Sequence, residues 1–175
     1  TLSENTPINT PGFAPDGRPY AGWPVRALGF FLDFLPALIL TMIAQMFFYS
    51  STTVVTRSFG DGPQYQVFET QGPGFMFYLL YLIAIGYWFW NKGFLEGTTG
   101  KSLAKRFLGY STYDEATNQP LGVGLGMLRA LLVYLELILI ALCGLGLILW
   151  FWPLWDAKRQ AILSDRTVRA VVFKD

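Results

Sequence analysis

Residues 25–50 read VRALGFFLDFLPALILTMIAQMFFYS, an apolar run with two charges in it. About 20 apolar residues in a helix cross the ~30 Å hydrocarbon core of a bilayer, so the stretch predicts a membrane-crossing helix. Arg26 stands at its start and Asp33 seven residues further on. That spacing is close to two helical turns and puts both charges on one face. A carboxylate at such a depth costs several kcal/mol unless it is paired or neutral. Pro36, three residues beyond Asp33, has no N–H and so frees the carbonyl of Leu32. Two readings of Asp33 follow: it binds a proton or small cation for transport, or it pairs with a cation and locks the fold.

Composition supports the membrane reading. Charged residues make up 14% of the 175, where soluble domains run near ~25%. The net charge of +1 argues against nucleic acid as a partner. Histidine is absent and Cys143 is the single cysteine. This excludes an internal disulfide, a Cys/His zinc site, a His-ligated haem and His-dependent nucleophilic catalysis. No metal or cofactor is expected, and the chain reads as a non-enzyme. The start at Thr1 is read as loss of an initiator methionine, and the first apolar run begins too late for a cleaved signal peptide.

Residues 1–24 carry Pro7, Pro11, Pro15, Pro19 and Pro24 with interspersed glycines and read as an extended tail. The remainder, residues 25–175, reads as one membrane domain. Tyr20 and Trp23 suit the headgroup region before the first span. Residues 51–74 hold two strand-like arms around Gly60-Asp61-Gly62-Pro63 and predict a β-hairpin outside the membrane. A second span, 75–91, ends on a tryptophan pair before Lys92, which reads as an interfacial stop. In the polar loop 92–127, Leu103, Phe107 and Leu108 oppose Lys101, Lys105 and Arg106. That pattern predicts an amphipathic helix lying on anionic membrane lipids. Gly122, Gly124 and Gly126 read as a flexible entry to a third apolar block, 128–155, which Gly144 and Gly146 interrupt.

Basic residues set the orientation. The first loop has Arg57 alone, whereas Lys92, Lys101, Lys105 and Arg106 lie in the second. The first loop is therefore expected outside and the second in the cytoplasm, with a cytoplasmic N-terminus in a multi-pass protein of the plasma membrane. The tail, 156–175, is also basic (Lys158, Arg159, Arg166, Arg169, Lys174), and keeping it inside requires the third block to break and turn back at its glycines. The fold class is thus an all-α membrane protein with three hydrophobic segments, the third broken or re-entrant, plus the surface helix and a small outer hairpin.

A second charged constellation echoes the first. Arg26-Ala27-Leu28 precedes Leu32-Asp33, and Arg129-Ala130-Leu131 precedes Leu135-Glu136 with the same gap. Two parallel helices with this pattern predict cross-pairs, Arg26 with Glu136 and Arg129 with Asp33, unless the repeat is coincidence in a Leu- and Ala-rich background. Gly97-Thr98-Thr99-Gly100-Lys101-Ser102 looks like the end of a phosphate-binding loop, but Leu95 replaces the required glycine. No strand precedes it, so no nucleotide is expected. Gln45 and Tyr134 read as interhelical hydrogen-bonding groups, and Trp150, Trp152 and Trp155 as an interfacial belt.

Together these residues resemble the RDD family of small bacterial membrane proteins, named for an Arg at the start of the first span, an Asp within it and a second Asp near the C-terminus. Arg26 and Asp33 match the first two. Gly100 to Gly109 (GKSLAKRFLG) resembles the family's loop of the form G-x-T-x-G-K-R-x-x-G, followed by Tyr113-Asp114. Arg129 matches a further frequent Arg. The segment Arg159 to Asp165 (RQAILSD) resembles the closing R-Q-x-x-x-H-D, which makes Asp165 the second Asp. The Pro-rich head is similar to that of actinobacterial members. The chain departs from the pattern at Ala104 (usually Gly), Ser164 (usually His) and Arg169-Ala170 (usually Gly-Thr). The resemblance implies a membrane role, and sodium/proton exchange has been associated with some members. Weighing few intramembrane polar groups against many apolar and aromatic faces, the sequence predicts a non-catalytic accessory subunit of a larger membrane complex. The alternative is a cation/proton antiporter acting as a homodimer. Expected partners are membrane lipids and other membrane subunits, or a second copy of the chain.

Overall fold

The computed structural model describes residues 12–50, 52–58, 60–70 and 72–175; the first part of the Pro-rich tail, with Pro7 and Pro11, lies outside them. Helix α1, Trp23–Ser50, runs through Pro36. Two helical stretches, Trp23–Tyr49 and Gly122–Leu142, have mean hydropathies of 2.1 and 2.2, yet only 22% of each apolar window is buried. Helices so apolar and so exposed suit lipid rather than water.

The chain divides into two compact units, the described residues up to Phe34 with Trp88–Asp175, and Leu35–Tyr87. In the second unit, strands β1, Thr52–Ser58, and β2, Gln64–Thr70, pair antiparallel, so the expected hairpin is present. The later half of α1 packs there with α2, Phe75–Trp88, burying Ala44 and Ala84. Gln45 Nε2 donates to the Tyr81 hydroxyl at 2.6 Å, the interhelical bond expected of that glutamine.

The other unit departs more from expectation. The second apolar segment does not stop at its tryptophans. The backbone continues as a π-helix, Phe89–Leu95, and then as α3, Glu96–Thr99. The wider π turn, a feature found often at functional sites, leaves Asn91, Lys92 and Gly93 buried, so Lys92 is no interfacial anchor. Gly100 ends α3 with φ +75°, a left-handed conformation that costs glycine nothing. Helix α4, Leu103–Leu108, follows, capped by the Ser102 hydroxyl, which accepts from the Lys105 N–H. The expected amphipathic helix is present, but its faces are not divided as expected: Lys105, 3% exposed, faces in and Phe107, 88% exposed, faces out, while Arg106 stays exposed.

Helix α5, Gly122–Cys143, begins six residues ahead of the expected block because its glycines are helical rather than a loose entry. A Cβ on Gly126 would lie 2.7 Å from Gly97 Cα, so glycines let α5 approach the preceding helical segment backbone to backbone. The predicted break is found at Gly144, φ +67°, followed by α6, Leu145–Phe151. The tail holds α7, Ser164–Thr167, and strand β4, Ala170–Lys174, which pairs antiparallel with β3, Tyr110–Asp114. Middle loop and tail thus share one sheet. Val171 and Phe173 of β4 pack with Tyr20 and Ala14 of the N-terminal segment, and Val172 with Ala21 and Tyr110.

Candidate functional site

All five charges singled out along α1, α5 and the tail come together in the first unit, with partners the sequence did not predict. Asp33, 1% exposed, accepts four hydrogen bonds. On Oδ1 these come from Asn91 Nδ2 at 2.7 Å and the Ala104 N–H at 3.0 Å. On Oδ2 they come from the Ser102 hydroxyl at 2.5 Å and Lys92 Nζ at 2.7 Å. Asn91 Oδ1 in turn accepts from the Leu103 N–H at 2.9 Å. Asp33 and Asn91 therefore satisfy the first amides of α4, which a helix start otherwise leaves without partners. The Gly-Lys-Ser stretch is explained here: Gly100 turns the chain and Ser102 caps α4 while binding Asp33. Ala104, where the family usually has Gly, makes its backbone bond to Asp33 with its side chain buried.

Lys92 also reaches Glu96 Oε2 at 3.5 Å. Glu96 is the hub, because its Oε1 takes the Lys105 ammonium, the Arg129 guanidinium and, at 2.9 Å, the Thr112 hydroxyl. Arg129 spans from Glu96 to Asp165 Oδ1, reached by Nε at 2.9 Å and Nη2 at 2.8 Å. Asp165 Oδ2 accepts from Arg26 and from the Ala161 N–H at 2.9 Å. Arg26 and Asp33 share α1, so the ion pairs form a closed ring through α1, α7, α5, α3 and the π-helix. The predicted cross-pairs do not form. Arg26 pairs with Asp165 rather than Glu136, and Arg129 with Glu96 and Asp165 rather than Asp33. Glu136 accepts instead from the Ser164 N–H at 3.0 Å and the Ser164 hydroxyl at 3.2 Å, the serine standing where the family usually has His.

Burial would raise Glu96, but Lys105, Lys92 and Arg129 outweigh it and hold its carboxyl well below the usual range. Asp165 is held low in the same way, with Arg26 and Arg129 overcoming burial. Burial pushes Lys105 down to about 7 against the pull of Glu96, with Arg129 and Lys92 adding to the push. Burial also raises Tyr110 to about 12. Of the three residues expected on a lipid surface, Lys105 belongs to the ring, Lys101 pairs with Asp175 at 2.5 Å, and Arg106 is exposed.

A cavity of about 90 Å³ adjoins the ring. Arg26, Lys92, Lys105 and Arg129 line it, with Glu136 as the carboxylate on the wall and Tyr110 and Ser164 nearby. Its remaining wall is apolar, from Trp23, Ala27, Phe30, Val133, Leu137 and Trp150. Five site residues escaped the sequence reading as such: Asn91, Lys92, Glu96, Ser102 and Thr112. The Lys92/Glu96 spacing of four, which aligns opposite charges on one helix face, was the available signal.

Comparison with known proteins agrees with the motifs. The sequence pattern of the RDD family matches residues 20–168. The chain is similar to a proline-rich antigen of Mycobacterium leprae (strain TN), 31% identical over 156 residues that cover 87% of this chain and 60% of that protein. It is also similar to a proline-rich antigen homolog of Mycobacterium tuberculosis (strain ATCC 25618 / H37Rv), 32% identical with 87% and 62% covered. The chain thus spans about three fifths of the length of these relatives. No solved structure matches it.

Proposed function

This chain belongs to the RDD family, and we propose that it is a multi-pass membrane protein serving as a non-catalytic accessory subunit of a larger membrane complex. The observation that carries the reading is the complete saturation of Asp33. Four fixed donors hold it, two of them from backbone and side chain of the α4 start, so a transported cation would have to displace a structural clamp. Four cations also line the neighbouring cavity, which repels a positive ion. The intramembrane acid is then architectural, a known use of paired charges in membranes. The apolar faces of α1 and α5, including Phe31, Met42, Met46 and Leu131, are exposed and available to lipid or to partner helices. In this reading the N-terminus, the middle loop and the tail lie together in the cytoplasm, supported by the β3–β4 pairing and by their basic residues.

The second reading, a cation/proton antiporter acting as a homodimer, is favoured by one residue. Glu136 is a buried carboxylate on the cavity wall, bonded to Ser164 rather than to a cation. Gentle extraction followed by native-gel separation and identification of comigrating chains tests the choice. Stoichiometric membrane partners are expected. Migration as a homodimer alone, with gradient-driven proton movement in vesicles that Glu136→Gln abolishes, would sink the accessory-subunit reading. Asp33→Asn is expected to lower folded yield rather than switch off a transport activity selectively.

A further inference from the structure

The cavity beside the ring has a charge pattern for which neither reading names a ligand. Its wall presents Arg26, Lys92, Lys105 and Arg129, while Asp33, Glu96 and Asp165 are absent from it. The carboxylates lie behind their cations, and Glu136 alone brings negative charge to the surface of the cavity. The cations also keep donors in reserve. An ammonium has three N–H groups and a guanidinium five. Lys105 gives two, to Glu96 and Thr112; Lys92 gives two, to Asp33 and Glu96. Arg26 gives one from each terminal nitrogen, to Asp165 and to the Arg159 carbonyl. The Tyr110 hydroxyl, also on the wall, has no hydrogen-bond partner among the described residues. Such a cavity, with room for several waters by volume, offers convergent donors to one oxyanion.

We propose that this cavity binds a phosphate-type oxyanion. Charge-assisted bonds from Arg and Lys to phosphate are short and strong, and a guanidinium suits its geometry. The apolar part of the lining, with Trp23, Phe30, Val133, Leu137 and Trp150, suits an acyl or glycerol portion next to the charged group. A lipid headgroup entering from the membrane face therefore fits both halves, whereas a free phosphate fits only the cationic one. Basic pockets between transmembrane helices on the cytoplasmic side take anionic lipids by the same logic. The proposal is independent of the accessory-subunit reading, since an antiporter would retain the same cavity.

The full chain, reconstituted in vesicles of equal phosphatidylglycerol and phosphatidylcholine and then delipidated, is examined by native mass spectrometry. Retention of phosphatidylglycerol over phosphatidylcholine by about tenfold is expected. Ala27→Leu and Val133→Phe fill the cavity without touching a charge, and each should remove that preference while the melting temperature in lipid-free detergent stays near wild type. Inorganic phosphate is added separately to the lipid-free chain. A rise in melting temperature with phosphate, absent in Ala27→Leu, together with no lipid preference, assigns the site to a soluble oxyanion. Equal retention of both lipids with no phosphate effect overturns the proposal. So does wild-type binding by either folded cavity-filling variant. If both variants unfold, the two wild-type measurements decide.

Discussion

Up to Phe34, helix α1 carries Arg26, partly buried, and Asp33, fully buried, both tied to residues far along the chain; from Leu35 on, Thr41 and Gln45 make one side-chain hydrogen bond each. The two units repeat this contrast. In the hairpin unit Arg57 pairs with Glu69 of the neighbouring strand, diagonally across a ladder in which Arg57 faces Tyr65, and both side chains are exposed. In the other unit Glu96 meets Lys92, Lys105 and Arg129, drawn from three elements and almost wholly buried. A pair exposed to water is screened and contributes little. A buried charge whose partner is removed has nowhere to be solvated, so the ring converts local sequence changes into loss of the whole arrangement.

Mutations can break or sharpen that contrast. Glu96→Gln should have the largest effect, about 3–5 kcal/mol by unfolding in detergent, because it leaves the buried Lys105 without a carboxylate and takes one of two from Lys92 and Arg129. Its protonation is the milder version. Glu96 and Asp165 titrate below their ordinary range when folded, so the stability they confer is complete above pH 4.5 and falls away as pH drops further. An acid titration of the melting temperature should show this decline, and Glu96→Gln should flatten part of it. Gly126→Ala comes next, at about 1–3 kcal/mol, because its new carbon would meet the backbone of Gly93 and Gly97 rather than a movable side chain. Arg57→Ala in the hairpin should cost less than about 1 kcal/mol. Equal losses from Arg57→Ala and Glu96→Gln would erase the distinction between the units.

Much of the scaffold was legible. The hairpin announced itself through a Gly-Pro turn between β-favouring arms, and the break at Gly144 through a glycine inside an apolar block. The five marked charges do gather, because charges taken out of water need partners. Which partner each one takes was not legible, since that depends on helices brought together from distant sequence. Lys92 followed two tryptophans and so resembled an anchor; only the π turn shows that it faces inward. Strand β4 escaped because Ala170 to Phe173 are all buried, which removes the in-out alternation that marks a strand. Lys105 misled for a similar reason: its helix has an apolar and a basic edge, and composition alone does not say which one the protein covers.

The ring also dictates an order of assembly. Arg26 and its partner Asp165 stand 139 positions apart, with α5 and its Arg129 synthesised between them. While a ribosome is still making the middle of the chain, both guanidiniums are already present without the carboxylate that joins them. A nascent chain stopped before residue 165 carries two arginines that no one carboxylate in it joins, and it also lacks β4 to cover β3. The segment from Asp165 through β4, later in the chain than every element it joins, is therefore the latch: only once it is made can the ring and the β3–β4 sheet close.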